Sequence, residues 1–555
     1  MIVSRAAALA ALLCTAVAQA AHSAPRLNVL VILADDLGYS DLGAYGGEIR
    51  TPNLDRLAAE GTLFTDFHST PLCSPTRAEL LTGADHHLVG VGALLAPRLW
   101  YQKGDHYGGL NAHARTLAQT LRAAGWHTAM AGKWHLDAKG PPAWGFEDSF
   151  YLDPEAGAAN NFAPAGNEAD VPHYDNGKPV TLSADFFSSD AYTDRLIADL
   201  KRWHGDGQPF FAYLSFQAAH NPIQAPAEFL ERYRGAYDEG YDAVRARRIA
   251  RQKELGLIPQ DFAPAPLLPL SALSPSSPGF LLNYPWRRLS ETERRSEARQ
   301  MEVYAAMVEN MDANVGRLLD ALRASGDYAR TLIVFLSDNG PDGNGDLAPG
   351  GAVDARVENF GRPGSFVTRS VGWAQVSSAP FRGFKASVME GGTSVPLIVK
   401  LPGQMQSQPH RQSAALTSVR DLAPTILAAV GVAASDEASL APVEGISLLP
   451  LLRGETTQVR GDADVLADEM YNHRYVIRGR YKLERTDPLL YGWSFFADHR
   501  WQLFDRAADR GETRALAERR VGASARANAQ AEAAMLDALA ADWQRYAERV
   551  GAAAP

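Results

Sequence analysis

The sequence predicts an α/β fold: a large, mostly parallel (mixed) sheet sandwiched by helices, with a smaller C-terminal α+β domain built on a short antiparallel sheet. Three observations predict it. Short apolar runs of buried-strand character alternate with helical patterns, as in a sheet covered on both faces. Four of these runs end in polar clusters. Beyond about residue 460 the pattern changes to strands with turns and then an Ala-rich helix. A chain of 555 residues also exceeds what one core serves, so two domains are expected.

Taken in order, the N-terminus carries Arg5, an apolar stretch from about Ala6 to Ala18, and the small-residue site Ala18-Gln19-Ala20. This is the pattern of a cleavable export signal over residues 1–20, cut after Ala20, and the apolar run is shorter than a bilayer needs. Bulky Leu13 before Cys14 argues against a lipid attachment site. No later run is long and apolar enough to span a membrane, so a periplasmic or secreted protein without a membrane anchor is expected.

The large domain is expected over 27–459 and the small one over 460–555. Residues 28–33, NVLVIL, read as the first strand and run into Asp35-Asp36. The run from Trp126 to Met130 leads to Gly132-Lys133-Trp134-His135. Phe210 to Phe216 leads to His220-Asn221-Pro222, and Thr331 to Leu336 leads to Asp338-Asn339-Gly340. A fifth run lies at 395–399. In open α/β sheets ligands bind beyond the carboxyl ends of the strands, so the four clusters should converge at one edge.

Between the strands, Ser290 and Glu293 form a capping-box pattern. Tyr304, Met307, Met311, Val315, Leu318 and Leu322 follow at helical spacing, with the methionines read as core. Residues 256–286 are rich in Pro, Ser and Leu and read as an irregular excursion packed on the surface. The run NGPDGNGDLAPGG after Asp338 reads as a pocket rim. In the tail, a helix is expected from about Ser524 to Val550.

With 54 basic and 64 acidic residues the formal charge is −10, mild for this length. It excludes broad affinity for nucleic acid or anionic lipid, so an anionic ligand needs a local cluster of cations. Of two cysteines, the processed chain would keep only Cys73 and could close no disulfide on itself. Ser74 suits an N-cap and Pro75 a first helical position, which places Cys73 just before a helix, where free N–H groups favour negative charge.

Asp35, Asp36, Asp338 and Asn339 offer side-chain oxygens only, which suits calcium or magnesium rather than zinc. Each pair alone reads as well as a turn or cap; their joint placement at strand ends makes a cation site. Arg77, Lys133 and Lys385 are the candidate anion holders, and Arg77, one helical turn beyond Cys73, can aim its fork at a tetrahedral oxyanion. His135 and His220 are the available acid–base groups. For His86-His87, adjacent side chains are expected to diverge, which favours loop shaping over metal binding. Trp100, Tyr101 and Trp373, in the loops 86–110 and 342–380 that should wall the pocket, are read as packing residues.

CSPTRAELLTG at 73–83 reproduces the CxPxR signature of type I sulfatases. ADDLGYSDLGAYGG, AGKWHL, AAHNPIQAP, LSDNG and KASVMEGG resemble the accompanying blocks of bacterial arylsulfatases, in the same order, over about 27–545. The chain thus resembles the formylglycine-dependent sulfatases of the alkaline phosphatase superfamily. Ala219 departs from the proline often found before the histidine and removes no catalytic group.

The resemblance implies conversion of Cys73 to Cα-formylglycine by a maturation enzyme that reads the CxPxR segment. It also implies a calcium ion, rather than magnesium, held by Asp35, Asp36, Asp338, Asn339 and residue 73. An aldehyde hydrate would attack sulfur with one hydroxyl and, on losing a proton from the other, re-form the aldehyde and expel sulfate. The resemblance gives that second proton to His135 and protonation of the leaving group to His220 with Lys385, while Arg77 and Lys133 would hold sulfuryl oxygens. A sulfate monoester, aryl by resemblance, is the expected substrate. The rivals are a phosphate or phosphonate esterase of the same superfamily, a calcium-dependent binding protein without catalysis, and a cysteine hydrolase.

Overall fold

The computed structural model describes residues 26–95, 104–167, 169–268, 285–343, 353–403, 411–486, 498–520, 526–527 and 530–552. The export-signal reading, Trp100, Tyr101, much of the 256–286 excursion and part of the rim after Asp338 lie outside them.

β1 (Asn28–Ala34) shows why the sheet is buried on both faces. Val29, Val31 and Leu33 join one apolar cluster, while Leu30, Ile32 and Ala34 join the other, so the strand's period of two serves two cores at once. The chain continues through β2 (Thr62–Phe64), β3 (Phe67–His68), β4 (His127–Gly132), β5 (Asp148–Leu152), β6 (His173–Asp175), β7 (Lys178–Val180), β8 (Phe210–Ser215), β9 (Thr331–Ser337), β10 (Leu397–Lys400), β11 (Arg411–Ser413) and β12 (Thr417–Ser418). Ten of these form one sheet in the order β11-β2-β10-β9-β1-β8-β4-β5-β6-β7. Neighbours from β9 across to β5 run parallel, as expected. β10 lies antiparallel to β9 and β2, and β6 and β7 are antiparallel at the far margin.

One face is covered by helices Pro52–Glu60, Ser188–Trp203 and Glu291–Ser325. The last carries the expected capping box at Ser290 and Glu293, and Met307 and Met311 are wholly buried in it. The other face is covered by Cys73–Thr82, Leu117–Ala123 and Leu422–Val430. Among the described residues, no helix is long and apolar enough to cross a membrane.

The C-terminal sheet runs β13 (Val465–Met470), β14 (His473–Arg478), β15 (Tyr481–Thr486), β16 (Asp498–Asp505), β17 (Ala517–Arg520) and β18 (Arg526–Ala527), all antiparallel in chain order. Helix Gln530–Val550 packs Leu536, Leu539, Trp543 and Val550 onto it. That helix starts a few residues later than expected, because Arg526 and Ala527 pair with β17 instead. This C-terminal sheet meets the rest of the chain through apolar clusters, such as Val388 with Leu466 and Ile477, and through buried charge. Lys482 Nζ lies 2.5 Å from Glu512 and 3.3 Å from Glu390, and Arg506 lies 2.5 Å from Asp66.

The expectation for His86-His87 needs correcting in its reason. Their rings do not diverge: the centroids are 4.1 Å apart. His86 Nε2 reaches Asp468 at 2.9 Å and His87 Nε2 reaches Glu469 at 3.0 Å, so two neighbouring imidazoles grip two neighbouring carboxylates of β13. Burial opposes a charge on His87, but Asp85 and Glu469 overcome it and push its pKa up to about 10. Trp373 is a packing residue, as expected: it is fully buried against Tyr237, Tyr241 and Trp286.

Candidate active site

The parallel register brings four strand ends level. Ala34 pairs with Ser337, Leu33 with Ser215, and Gly132 with Ser215, so the residues that leave β1, β4, β8 and β9 emerge together. Gly132 is required there: at φ 115° its Cβ would lie 1.8 Å from the Ser215 carbonyl oxygen. Asp36 at φ 61°, His135 at φ 54° and Ala386 at φ 66° are three of seven non-glycine residues with positive φ among the described residues. All three lie at or beside a candidate residue, so backbone strain is concentrated at this edge.

Cys73 is the first residue of its helix, not the residue before it, and Leu72 is the cap. Ser74 Oγ makes no hydrogen bond. The turn is shaped by Thr70 and Thr76 instead, with Thr70 N donating to Thr76 Oγ1 at 3.0 Å and the two hydroxyls 2.8 Å apart. Cys73 Sγ thereby sits 3.6 Å from Asp35 Oδ1, fully enclosed.

The structure brings every candidate residue into this one cluster. Lys133 Nζ donates to Asp35 Oδ2 at 2.5 Å, and Lys385 Nζ to Asp36 Oδ2 at 2.8 Å. His220 Nε2 is 3.5 Å from Asp36 Oδ2. Asn339 Nδ2 donates to Asp36 Oδ1 at 2.6 Å, and Asp36 N donates to Asp338 Oδ1 at 3.2 Å. Arg77 is turned inward. Its Nε and Nη2 donate to Asp338 Oδ2 at 3.1 and 2.8 Å, Nη2 lies 3.4 Å from Asp35, and Nη1 donates to the Lys133 carbonyl at 2.9 Å and to Ser215 Oγ at 2.6 Å. Four of its five N–H groups thus donate to protein acceptors, and in this geometry the guanidinium acts as a buttress under the carboxylates, whereas its fork was expected to meet a substrate oxyanion. Ser215 itself carried no sequence signal beyond its place at a strand end.

Electrostatics follow from the packing. Burial would raise Asp36, but His220, Lys385 and Lys133 outweigh it and hold the carboxyl well below the usual carboxylate range. Burial and then the Asp35 charge push Asp338 up, despite Arg77. Burial, Lys133 and Arg77 keep His135 neutral far below its ordinary value. Burial brings His220 down to about 3, although Asp36 opposes the shift. Burial also pushes the Cys73 thiol up, the opposite of what an activated thiolate needs.

The residues fit a hard cation. Asp35, Asp36, Cys73 and His220 present ligand atoms all within 4.8 Å of one another. Asn339 Oδ1 is buried with no hydrogen-bond partner, an acceptor waiting for a positive group. Asp35 and Asp338 repel each other in the absence of one, and Arg77 and Lys133 compensate them in part. The donors are oxygens apart from Cys73 and His220, which suits calcium or magnesium.

Comparison with known proteins agrees with this geometry. The profile of the family described as Sulfatase matches residues 27–432. An uncharacterised sulfatase of Schizosaccharomyces pombe is 35% identical over 88% of this chain and 90% of its own. The arylsulfatase of Klebsiella aerogenes is 34% identical over 82% of this chain and 99% of its own. Among solved structures, that of Ps i-CgsB in complex with k-i-k-neocarrahexaose superposes with a TM-score of 0.65 at 21% identity, covering 94% of this chain and 92% of the other.

Proposed function

The chain belongs to the sulfatase family of the alkaline phosphatase superfamily and is a sulfuric ester hydrolase, and from that premise we propose the finer chemistry. The substrate is an aryl sulfate monoester, cleaved to a phenol and sulfate outside the cytoplasm after export. Cys73 is converted to formylglycine by a maturation enzyme, and one calcium ion is held by Asp35, Asp36, Asp338, Asn339 and residue 73. The observation that carries this reading is the placement of Cys73 on the first turn of its helix, buried against Asp35 beside Lys133 and Lys385, which are bonded to Asp35 and Asp36.

When present, formylglycine supplies a hydrate with two hydroxyls on one carbon, one to take the sulfuryl group and one to release it. When bound, the cation supplies Lewis acidity toward that hydrate and the sulfuryl oxygens. The chain's own residues do the rest. Lys133 and Lys385 set two ammonium groups beside the carboxylates, placed to hold sulfuryl oxygens as charge develops on them. The N-terminus of helix Cys73–Thr82 adds its free N–H groups to the same field. Arg77 keeps Asp338, the Lys133 carbonyl and Ser215 in place.

His135 is neutral and its Nδ1 has no hydrogen-bond partner, so the ring is available to accept a proton. Gly157 lies against it, where a Cβ would come 3.2 Å from Cε1. His220 donates Nδ1–H to the Asn221 carbonyl at 2.8 Å, which leaves Nε2 as the atom that exchanges a proton with the leaving group, beside Lys385.

The test is turnover of p-nitrophenyl sulfate against p-nitrophenyl phosphate, in the wild type and in Cys73→Ala. Preference for the sulfate, abolished in the variant with an unchanged melting temperature, is the expected result. A preference for phosphate, or an active Cys73→Ala, overturns the reading.

A further inference from the structure

Asp342 lies on the loop that leaves β9 and takes no part in the machinery described above. It is buried, 4% exposed. One of its oxygens, Oδ2, accepts from Asn221 Nδ2 at 2.8 Å and lies 4.0 Å from Lys385 Nζ. The loop that carries it is pinned. Gly340 N donates to the Gly392 carbonyl at 2.9 Å, Lys385 N donates to the Pro341 carbonyl at 3.1 Å, and a Cβ on Gly340 would lie 2.1 Å from the Gly391 oxygen. A negative charge is therefore held at a fixed place beside the Lys385 ammonium group and bonded to Asn221, the residue that follows His220.

The fixed charges there can be counted among the described residues, leaving the two histidines aside. Four carboxylates, Asp35, Asp36, Asp338 and Asp342, stand against three cations, Arg77, Lys133 and Lys385. A divalent ion in the carboxylate cluster makes the sum one net positive charge, which matches a monoanion. Without Asp342 the same site would carry two, which matches a dianion. Sulfate monoesters carry one negative charge, and phosphate monoesters carry close to two at neutral pH.

We propose that Asp342 is a specificity-determining residue: its carboxylate lowers the positive charge of the pocket so that monoanionic esters are favoured over dianionic esters of the same shape. This rests on the sulfate-ester reading above, and it assigns discrimination against dianionic phosphate monoesters to one side chain outside the metal and acid–base sets.

The test compares two non-hydrolysable ligands of like shape on the metal-loaded protein. Benzenesulfonate is a monoanion, and phenylphosphonate is a dianion above its second ionisation. Asp342→Asn keeps the shape and an acceptor for Asn221 but removes the charge. One unit charge acting at about 7–10 Å through an effective dielectric near 20 should change the ratio of the two affinities, read by calorimetry, by about tenfold or more toward the phosphonate. The ratio of p-nitrophenyl phosphate to p-nitrophenyl sulfate turnover should move the same way. Asp342→Glu keeps the charge and should keep the wild-type ratio, and Asp342→Ala should match Asn. An unmoved ratio in Asn and Ala, or an equal shift in Glu, overturns the proposal. A wild type that itself prefers phosphate would overturn the sulfate-ester reading instead, so the two failures are separable.

Discussion

Replacing Arg77 with lysine keeps the positive charge and removes the fork, and the structure sets what that should cost. The guanidinium spans two places: the Asp338 carboxylate through Nε and Nη2, and the Lys133 carbonyl with Ser215 Oγ through Nη1. A lysine ammonium, compact and on a different stem, can satisfy the carboxylate but not the second pair. Two fully buried acceptors then lose a charged donor. At about 1–3 kcal/mol each the two acceptors would cost about 2–6 kcal/mol, and because Ser215 Oγ still donates to the Lys133 carbonyl at 2.7 Å the loss falls in the lower half, about 3 kcal/mol, which at 1.36 kcal/mol per decade is on the order of a hundred-fold. Because Arg77 faces the protein and not the substrate, the loss should fall mainly on kcat, through misplaced Lys133 and Asp338, with KM for p-nitrophenyl sulfate changed little. Steady-state kinetics beside a melting curve measures both. A variant within about threefold of wild type in kcat, or one whose defect lies wholly in KM, would refute the buttress assignment.

Four further outcomes are expected. Chelation of divalent ions should lower both activity and melting temperature, and calcium should restore both, because the paired carboxylates would lose the charge that relieves their repulsion. Arg420 bridges Glu79 at 2.7 Å and Asp85 at 2.9 Å beneath β13, so Arg420→Met should destabilise the fold by about 3–5 kcal/mol in chemical denaturation, by leaving buried carboxylates uncompensated. Cys73→Ser, expressed with a maturation system specific for cysteine, should fold normally and show at most a single turnover in a burst assay, since a serine ester has no second hydroxyl with which to expel sulfate. His173 is lowered by burial from 6.5 to about 4, so the folded state stays neutral while the unfolded state protonates. Stability should therefore fall as pH drops from about 6.5 toward 4, by about 3 kcal/mol in all from this group, and His173→Gln should flatten that part of the profile.

Much of this site was legible because its chemistry rests on residues that leave the C-terminal ends of apolar runs. Asp35 and Asp36, Lys133 and His135, His220, and Asp338 and Asn339 each follow a run of buried-strand character, and parallel register brings them level. The capping box at Ser290 was equally plain, since a local hydrogen-bond pattern decides it. What the sequence could not show depends on contacts between distant segments. Arg77 looked free to meet a substrate, and only the acceptors Asp338, Lys133 and Ser215, more than fifty residues away, turn it inward. His86 and His87 were expected to point apart, but the carboxylates of Asp468 and Glu469, nearly four hundred residues on, draw both rings to one side. Asp342 sat unnoticed in a glycine-rich run, because nothing local says that Gly340 and Gly391 let two loops touch and bring its carboxylate to Lys385.

The central claim is that the side chain at position 73 acts as an aldehyde hydrate and not as a thiol. Mass spectrometry of the peptide spanning Ser69 to Arg77, taken from active enzyme, tests it most directly. The account predicts the mass of an aldehyde in place of the thiol, with activity across preparations proportional to the converted fraction. Full activity in protein whose residue 73 retains its sulfur would contradict it.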